Sequence, residues 1–272
     1  MVMNKAQYQK RERKGQHNRP QKHSGKSPHK VSGLILFGRH PVVAGLGNPS
    51  REKIALYATE KALAALRDEI ELAKELPIHL STGHEIADLV GEDAPHQGLA
   101  LRVRPLPGQH LSDFAPIAST AAGAKNIIVV LDQVSDPHNV GAIMRSAAAF
   151  GARAIITTER NSPGESGVLA KSASGALETV PWIRVTNLSR ALEELADLGY
   201  WRVGLDGNAK HAIGETDAGE NVALVLGAEG KGLREGTAKK CDYLVRLPIS
   251  NAVESLNVSN AAAVALYEFA KA

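Results

Sequence analysis

Three short segments in the second half of the chain hold the side chains best suited to chemistry. The first, Asn139-Val-Gly141-Ala-Ile-Met-Arg145, sets a carboxamide and a guanidinium on one stretch. The second, Leu226-Gly227-Ala-Glu229-Gly230-Lys-Gly232, sets one carboxylate in a glycine-rich turn. The third runs from Leu247-Pro248-Ile249 to Ser255-Leu256-Asn257 and adds a hydroxyl and a second carboxamide. Carboxamides and a carboxylate can hold a hydroxyl group by hydrogen bonds, and a guanidinium fork matches a phosphate. Glycines after a strand let a ligand approach the backbone.

Each segment also has a plainer reading. Asn139 is placed to cap a helix, Gly141 permits close helix packing, and Ser255 or Asn257 can cap the helix that follows. Glu229 can serve only the dipole of a helix N-terminus. Arg145 sits among Ile143, Met144, Ala147, Ala148 and Ala149, where a charge costs free energy unless paired. An exposed helix arginine is the alternative. The glycine turn is neither a Gly-x-Gly-x-x-Gly fingerprint nor a Walker A loop, which argues against a nicotinamide dehydrogenase.

The elements around these segments alternate. From Lys125 the apolar runs predict strands at Ile127–Leu131, Ala154–Thr158, Trp182–Val185, Arg202–Leu205, Ala223–Leu226 and Leu244–Leu247. Helical spacing predicts helices at Val140–Phe150, Val168–Ala173, Leu188–Leu198, Leu233–Lys240 and Leu256–Ala270. This is an α/β pattern, a mainly parallel sheet with helices on both faces. All three polar segments follow strand C-termini, so one crevice can collect them.

Residues 33–105 read as a separate small α/β domain. Its expected elements are strands at Ile54–Tyr57, Ile78–Leu80 and Gln97–Val103 and helices at Glu60–Leu76 and His84–Val90. Pro105, Pro107 and Gly108 open a linker, 106–124, and 125–272 form the second domain. Residues 1–32 are polar and basic, with nine lysines and arginines from Lys5 to Lys30 against Glu12 alone. They cannot bury enough apolar surface to offset ordering entropy, so a disordered arm is expected, either solubilising or in contact with RNA.

Composition excludes several classes. Cys241 is the only cysteine, so neither an intramolecular disulfide nor a cysteine-based zinc site fits. No metal is expected. No apolar run is long enough to span a bilayer, and the N-terminus lacks the apolar region of a secretory signal. The expectation is a cytoplasmic protein with no membrane partner.

In their order and separations the three segments resemble the motifs of the SpoU (TrmH) family, within the SPOUT superfamily of RNA 2′-O-ribose methyltransferases. The match covers residues 125–272. The small domain resembles the ribosomal-protein-like RNA-binding domain that precedes some SpoU catalytic domains. His96-Gln97-Gly98 and Gly38-Arg39-His40-Pro41-Val42 are similar to the RlmB group. Glu254 stands where some relatives have a small residue.

The resemblance implies a trefoil-knotted SPOUT fold, a homodimer and S-adenosylmethionine as methyl donor. It implies a catalytic set of Asn139, Arg145, Glu229, Ser255 and Asn257. It places a bent cofactor on backbone groups around Gly227, Leu247, Ile249 and Leu256. The implied substrate is a guanosine of 23S rRNA in the P-site loop. A tRNA methyltransferase and a non-catalytic RNA-binding assembly factor are the alternatives. A guanidinium keeps its proton at ordinary pH, so Arg145 is expected to bind the target phosphate and stabilise developing alkoxide charge.

Overall fold

The computed structural model describes residues 33–118, 125–250 and 252–271. The basic arm at 1–32 and part of the expected linker, 119–124, lie outside the described residues. The chain builds two sheets. The smaller uses β1 (Leu34–Phe37), β2 (Lys53–Ala58), β3 (Ile78–Leu80) and β4 (Leu99–Val103), in the order β1-β4-β2-β3. β4 runs antiparallel to β1 and β2, and β3 runs parallel to β2. Helices α1 (Arg39–Gly47), α2 (Glu60–Leu66) and α3 (Gly83–Val90) connect these strands. β1 and α1 were not among the expected elements. Strand β4 starts two residues later than expected because Gln97 and Gly98 both take positive φ.

The helix expected over Glu60–Leu76 is a correction. It is α-helical only to Leu66 and continues as a 3-10 helix over Arg67–Ala73. Arg67 takes a φ of 45°, which breaks the α ladder. Arg39 fixes the break from outside. Its guanidinium donates to the Ala65 carbonyl at 3.0 Å and to Glu69 at 2.7 Å. A last-turn carbonyl is thereby satisfied by a residue from α1.

The larger sheet uses β5 (Asn126–Asp132), β6 (Ala154–Thr158), β7 (Trp182–Val185), β8 (Trp201–Leu205), β9 (His211–Ala212), β10 (Asn221–Gly227) and β11 (Tyr243–Arg246). Their order is β7-β6-β5-β10-β8-β11-β9, and every pairing is parallel. Helices α4 (Pro137–Ala149), α5 (Gly167–Ala173), α6 (Leu188–Asp197), α7 (Glu235–Ala238) and α8 (Val258–Ala270) cover it. Burial on both faces explains the unbroken apolar strands. Ile127, Val129 and Leu131 of β5 enter one core with Ile143 and Met144 of α4 and Leu266 and Phe269 of α8. Ile128 and Val130 enter the other with Leu192 and Leu195 of α6. The first core also takes in Leu36, Leu56 and Leu101 of the small sheet, so the two sheets share apolar packing.

Helix starts differ from expectation. α4 begins at Pro137, and its cap is Asp136, which accepts from the His138 N–H at 2.9 Å. A proline in the first turn costs no hydrogen bond, because that N–H has no helical partner anyway. Asn139 is therefore inside the first turn and not its cap. α7 is much shorter than the expected Leu233–Lys240. α8 starts at Val258, not Leu256, with Asn257 as its cap.

One buried ionic group joins the two sheets. Arg51, 2% exposed, precedes β2. Its Nε and Nη2 donate to the two oxygens of Glu178 at 3.0 and 2.6 Å. Its Nη1 donates to Glu165 at 2.8 Å and to the Arg104 carbonyl at 2.8 Å. Burial alone lowers the pKa of this guanidinium, but the hydrogen bonds to Glu178 and Glu165 outweigh it and hold the proton more tightly. Removing one partner of such a group strands buried charge. Arg51→Ala is expected to lower stability by about 3–5 kcal/mol, read by chemical denaturation. Arg104→Ala, whose pair with Glu52 is largely exposed, is expected to cost about 0–1 kcal/mol.

Cys241 lies against α6 and β8, and burial pushes its thiol up to about 12. At pH 8 it should react with a maleimide roughly a thousandfold more slowly than an exposed thiol. Equal rates in the native and denatured protein would contradict this burial.

Candidate active site

Gly227 ends β10, and the turn after it folds back over the strand. The Gly232 N–H donates to the Ala228 carbonyl at 2.9 Å, and Ala228 and Gly232 form an isolated bridge. A Cβ at Gly227 would lie 2.1 Å from the carbonyl carbon of Gly232 and 2.4 Å from the Leu233 nitrogen. The close approach that this glycine permits is therefore made by the chain itself. Gly230 and Gly232 supply the positive φ values of the turn, 72° and 64°.

A buried carboxylate anchors the return. Asp132, fully buried at the end of β5, accepts from Arg234 Nε at 2.7 Å and from the Arg234 main-chain N–H at 3.1 Å. Sequence reasoning missed this pair. The available signal was an acidic residue ending an otherwise apolar strand, where a buried charge requires a partner.

With the turn so held, Glu229 sits over the starts of α4 and α8. A single oxygen, Oε1, accepts from Asn139 Nδ2 at 3.1 Å, from Asn257 Nδ2 and from the Val258 N–H at 3.4 Å. Asn257 Nδ2 also donates to Asn139 Oδ1 at 3.0 Å. Asn257 Oδ1 meanwhile accepts from the Ser259 N–H at 2.8 Å and so caps α8. The cap reading and the site reading of Asn257 are both met by one side chain. Glu229 Oε2 makes no hydrogen bond among the described residues, which leaves an acceptor facing outward.

Not every expected residue joins this cluster. Ser255 is exposed and makes no side-chain hydrogen bond among the described residues. Arg145 is exposed on α4, so the desolvation argument for a bound partner does not hold. It lies six residues after Asn139, about 9 Å further along the helix and about 120° around it. Gly141 serves close helix packing: a Cβ there would meet the Leu169 carbonyl oxygen of α5 at 2.5 Å.

The residues expected around a cofactor lie at the same sheet edge. Leu247 and Ile249 follow β11, and Leu256 precedes α8. Ile249 is 40% exposed and Val253 52%. From Leu247 to Leu256 the main chain makes no hydrogen bond outside the strand ladder among the described residues.

Residues 126–267 match the SpoU rRNA Methylase family model. The chain belongs to the SpoU family. Residues 35–109 match a second SpoU-associated model, described as RNA 2′-O ribose methyltransferase substrate binding. The chain is similar to the 23S rRNA (guanosine-2′-O-)-methyltransferase RlmB of Vibrio cholerae, 35% identical over 243 residues, which cover 88% of this chain and 96% of the relative. The RlmB of Coxiella burnetii is 38% identical over 239 residues, covering 86% and 93%. An uncharacterized tRNA/rRNA methyltransferase of Synechocystis is 35% identical over 241 residues, and this chain spans 61% of its length. Among solved folds, the SpoU methyltransferase AviRb of Streptomyces viridochromogenes, in complex with AdoMet, has a TM-score of 0.74 at 23% identity, covering 88% of this chain and 89% of that one.

The crossing at Gly227 can be tested in this SpoU chain. Gly227→Ala is expected to cost about 1–3 kcal/mol, because neither Gly232 nor Leu233 can give way without moving backbone. Gly236→Ala, in α7 with nothing within 4 Å of its Cβ, is expected to raise stability by about 0.5 kcal/mol. Denaturation midpoints that moved alike would contradict the crossing.

Proposed function

We propose that this chain transfers the methyl group of S-adenosylmethionine to the ribose 2′-hydroxyl of a guanosine in large-subunit rRNA, in the loop that receives the P-site tRNA end. The observation that carries the reading is the meeting of Asn139, Glu229 and Asn257, from three separate segments, on one carboxylate oxygen. The similarity to the RlmB enzymes over most of both chains supports the substrate.

The residues present fit the methyl donor. The main chain at 247–250 and 252–256, free of hydrogen bonds among the described residues, offers donors and acceptors to an adenine edge, and Ile249 offers an apolar surface beside them. When bound, the sulfonium supplies an already activated methyl group. The chain must then hold one hydroxyl in line and relieve it of its proton. Glu229 Oε2 is the acceptor placed for the 2′-hydroxyl. Asn139 and Asn257 hold the opposite oxygen and so fix the carboxylate plane.

Arg145 makes no hydrogen bond with this cluster among the described residues. It is exposed on α4 with Ala148 and Ala149, and α8, which packs against α4, exposes Val264 and Tyr267. Phe150 and Tyr267 stack edge to face across the two helices at 6.0 Å. We infer a homodimer through these two helices, with Arg145 delivered to the second copy's site to hold the target phosphate. The small sheet and the basic arm then serve to gather the RNA, with 33–105 acting as the substrate-binding domain.

Labelled S-adenosylmethionine and unmodified large-subunit rRNA should yield 2′-O-methylguanosine in the P-site loop, located by nuclease mapping. Glu229→Gln and Arg145→Ala should each lower kcat by about a hundredfold or more. Label confined to tRNA would replace the substrate, and RNA binding without transfer would leave an assembly factor.

A further inference from the structure

A polar cavity of about 290 Å³ opens at the C-terminal edge of the large sheet, on the β6–β7 side of the Glu229 cluster. Arg160 and Arg234 line it, and no carboxylate does. The cavity beside it, about 330 Å³, has the opposite character, with Glu159, Glu165 and Glu178 against Arg184. The first cavity is therefore suited to an anion and the second is not.

The two arginines are available for a ligand. Arg160 is exposed, and its guanidinium makes no ion pair or hydrogen bond among the described residues. Arg234 is aimed by the buried Asp132, which accepts from its Nε and its main-chain N–H. Its two terminal nitrogens have no partner among the described residues. Such a fork, with one edge fixed by a carboxylate, loses little freedom on binding. The rest of the wall is neutral and polar, including Asn161, Ser189 and Gln133. Ser189 lies in the first turn of the ten-residue α6, where main-chain N–H groups lack helical partners.

We propose that the Arg160–Arg234 cavity seats a backbone phosphate of the RNA strand beside the methylated nucleotide. The inference rests on the methyltransferase reading. Two covalent links tie the cavity to the site. Arg234 is on the same turn as Glu229, and Asp132 ends the strand that leads to Asn139. A strand whose ribose meets Glu229 can thus be held in register by a neighbouring phosphate. Phosphate contacts of this kind position the nucleic acid without reading its sequence.

The test uses the full chain, S-adenosylmethionine and an unmodified transcript of the large-subunit rRNA domain. Arg160→Gln should weaken RNA binding roughly tenfold and flatten the slope of log Kd against log salt by about 0.7–0.9. It should raise KM for RNA in the same proportion, with kcat at saturating RNA within about twofold of wild type. Arg160→Lys should restore the salt slope. Arg234→Lys should weaken RNA binding in the same way while keeping a charge for Asp132. S-adenosylmethionine affinity should not change in any of them. Unchanged RNA affinity and slope in Arg160→Gln would overturn the proposal while leaving the enzyme reading intact. A wild-type chain that neither binds nor methylates the transcript would overturn the enzyme reading, and this proposal with it.

Discussion

The return of the chain over Gly227 is the constraint on which the site rests. At that point the Gly232–Leu233 backbone passes so close to the end of β10 that even a methyl group would collide with it. Two things follow from the tight return. Glu229 is turned toward the starts of α4 and α8, and the Arg234 backbone comes within reach of Asp132. The pair with Arg234 compensates a fully buried carboxylate and closes the loop from its far side. Acid and base here are structural, and they leave Glu229 Oε2 and the Arg234 terminal nitrogens facing outward.

The Glu229 cluster shows how one polar contact does two tasks. A helix start always leaves N–H groups without partners. Asn257 Oδ1 satisfies one at α8, and its amide nitrogen then has to point away, toward Glu229 and Asn139. The capping geometry thus orients the very donor that fixes the carboxylate. A helix cap and a binding group are not competing explanations at this position.

Arg51 has a comparable place between the sheets. It is the buried cation to which Glu178 and Glu165 of the large-sheet half bring their charge, and it also holds the Arg104 carbonyl at the end of the small sheet. Glu165 Oε1 in turn accepts from the Leu106 N–H at 3.0 Å. Strand β2, the chain leaving β4 and the segment around α5 are therefore fixed to one another by a fork with few alternative geometries. The shared apolar core adds area to the same junction but no direction.

The mainly parallel pairing of the large sheet, though not its strand order, was legible in the sequence because burial on both faces forces strands such as Asn126–Asp132 to be apolar at every interior position. The meeting of Asn139, Glu229 and Asn257 was legible only as a coincidence of strand ends, since a strand's C-terminal end says where a loop begins and not where it goes. The α-to-3-10 switch at Arg67 was not legible: helical spacing of apolar residues continues through it, and the contact that fixes it comes from Arg39, 28 positions away by number. The exposure of Arg145 was not legible for a related reason. Its buried neighbours Ile143, Met144 and Ala147 lie on the core face of α4 while Ala148 and Ala149 are exposed with it, so adjacency along the chain gave no measure of its burial. Periodicity by itself determined the α/β class and most of the strands, and the spacing of the polar segments supplied the candidate side chains, because these depend on local geometry and on burial averaged over a segment. Which side chains meet, which is exposed and which carboxylate is paired were decided only by the tertiary structure, because those depend on single contacts between residues far apart in the chain.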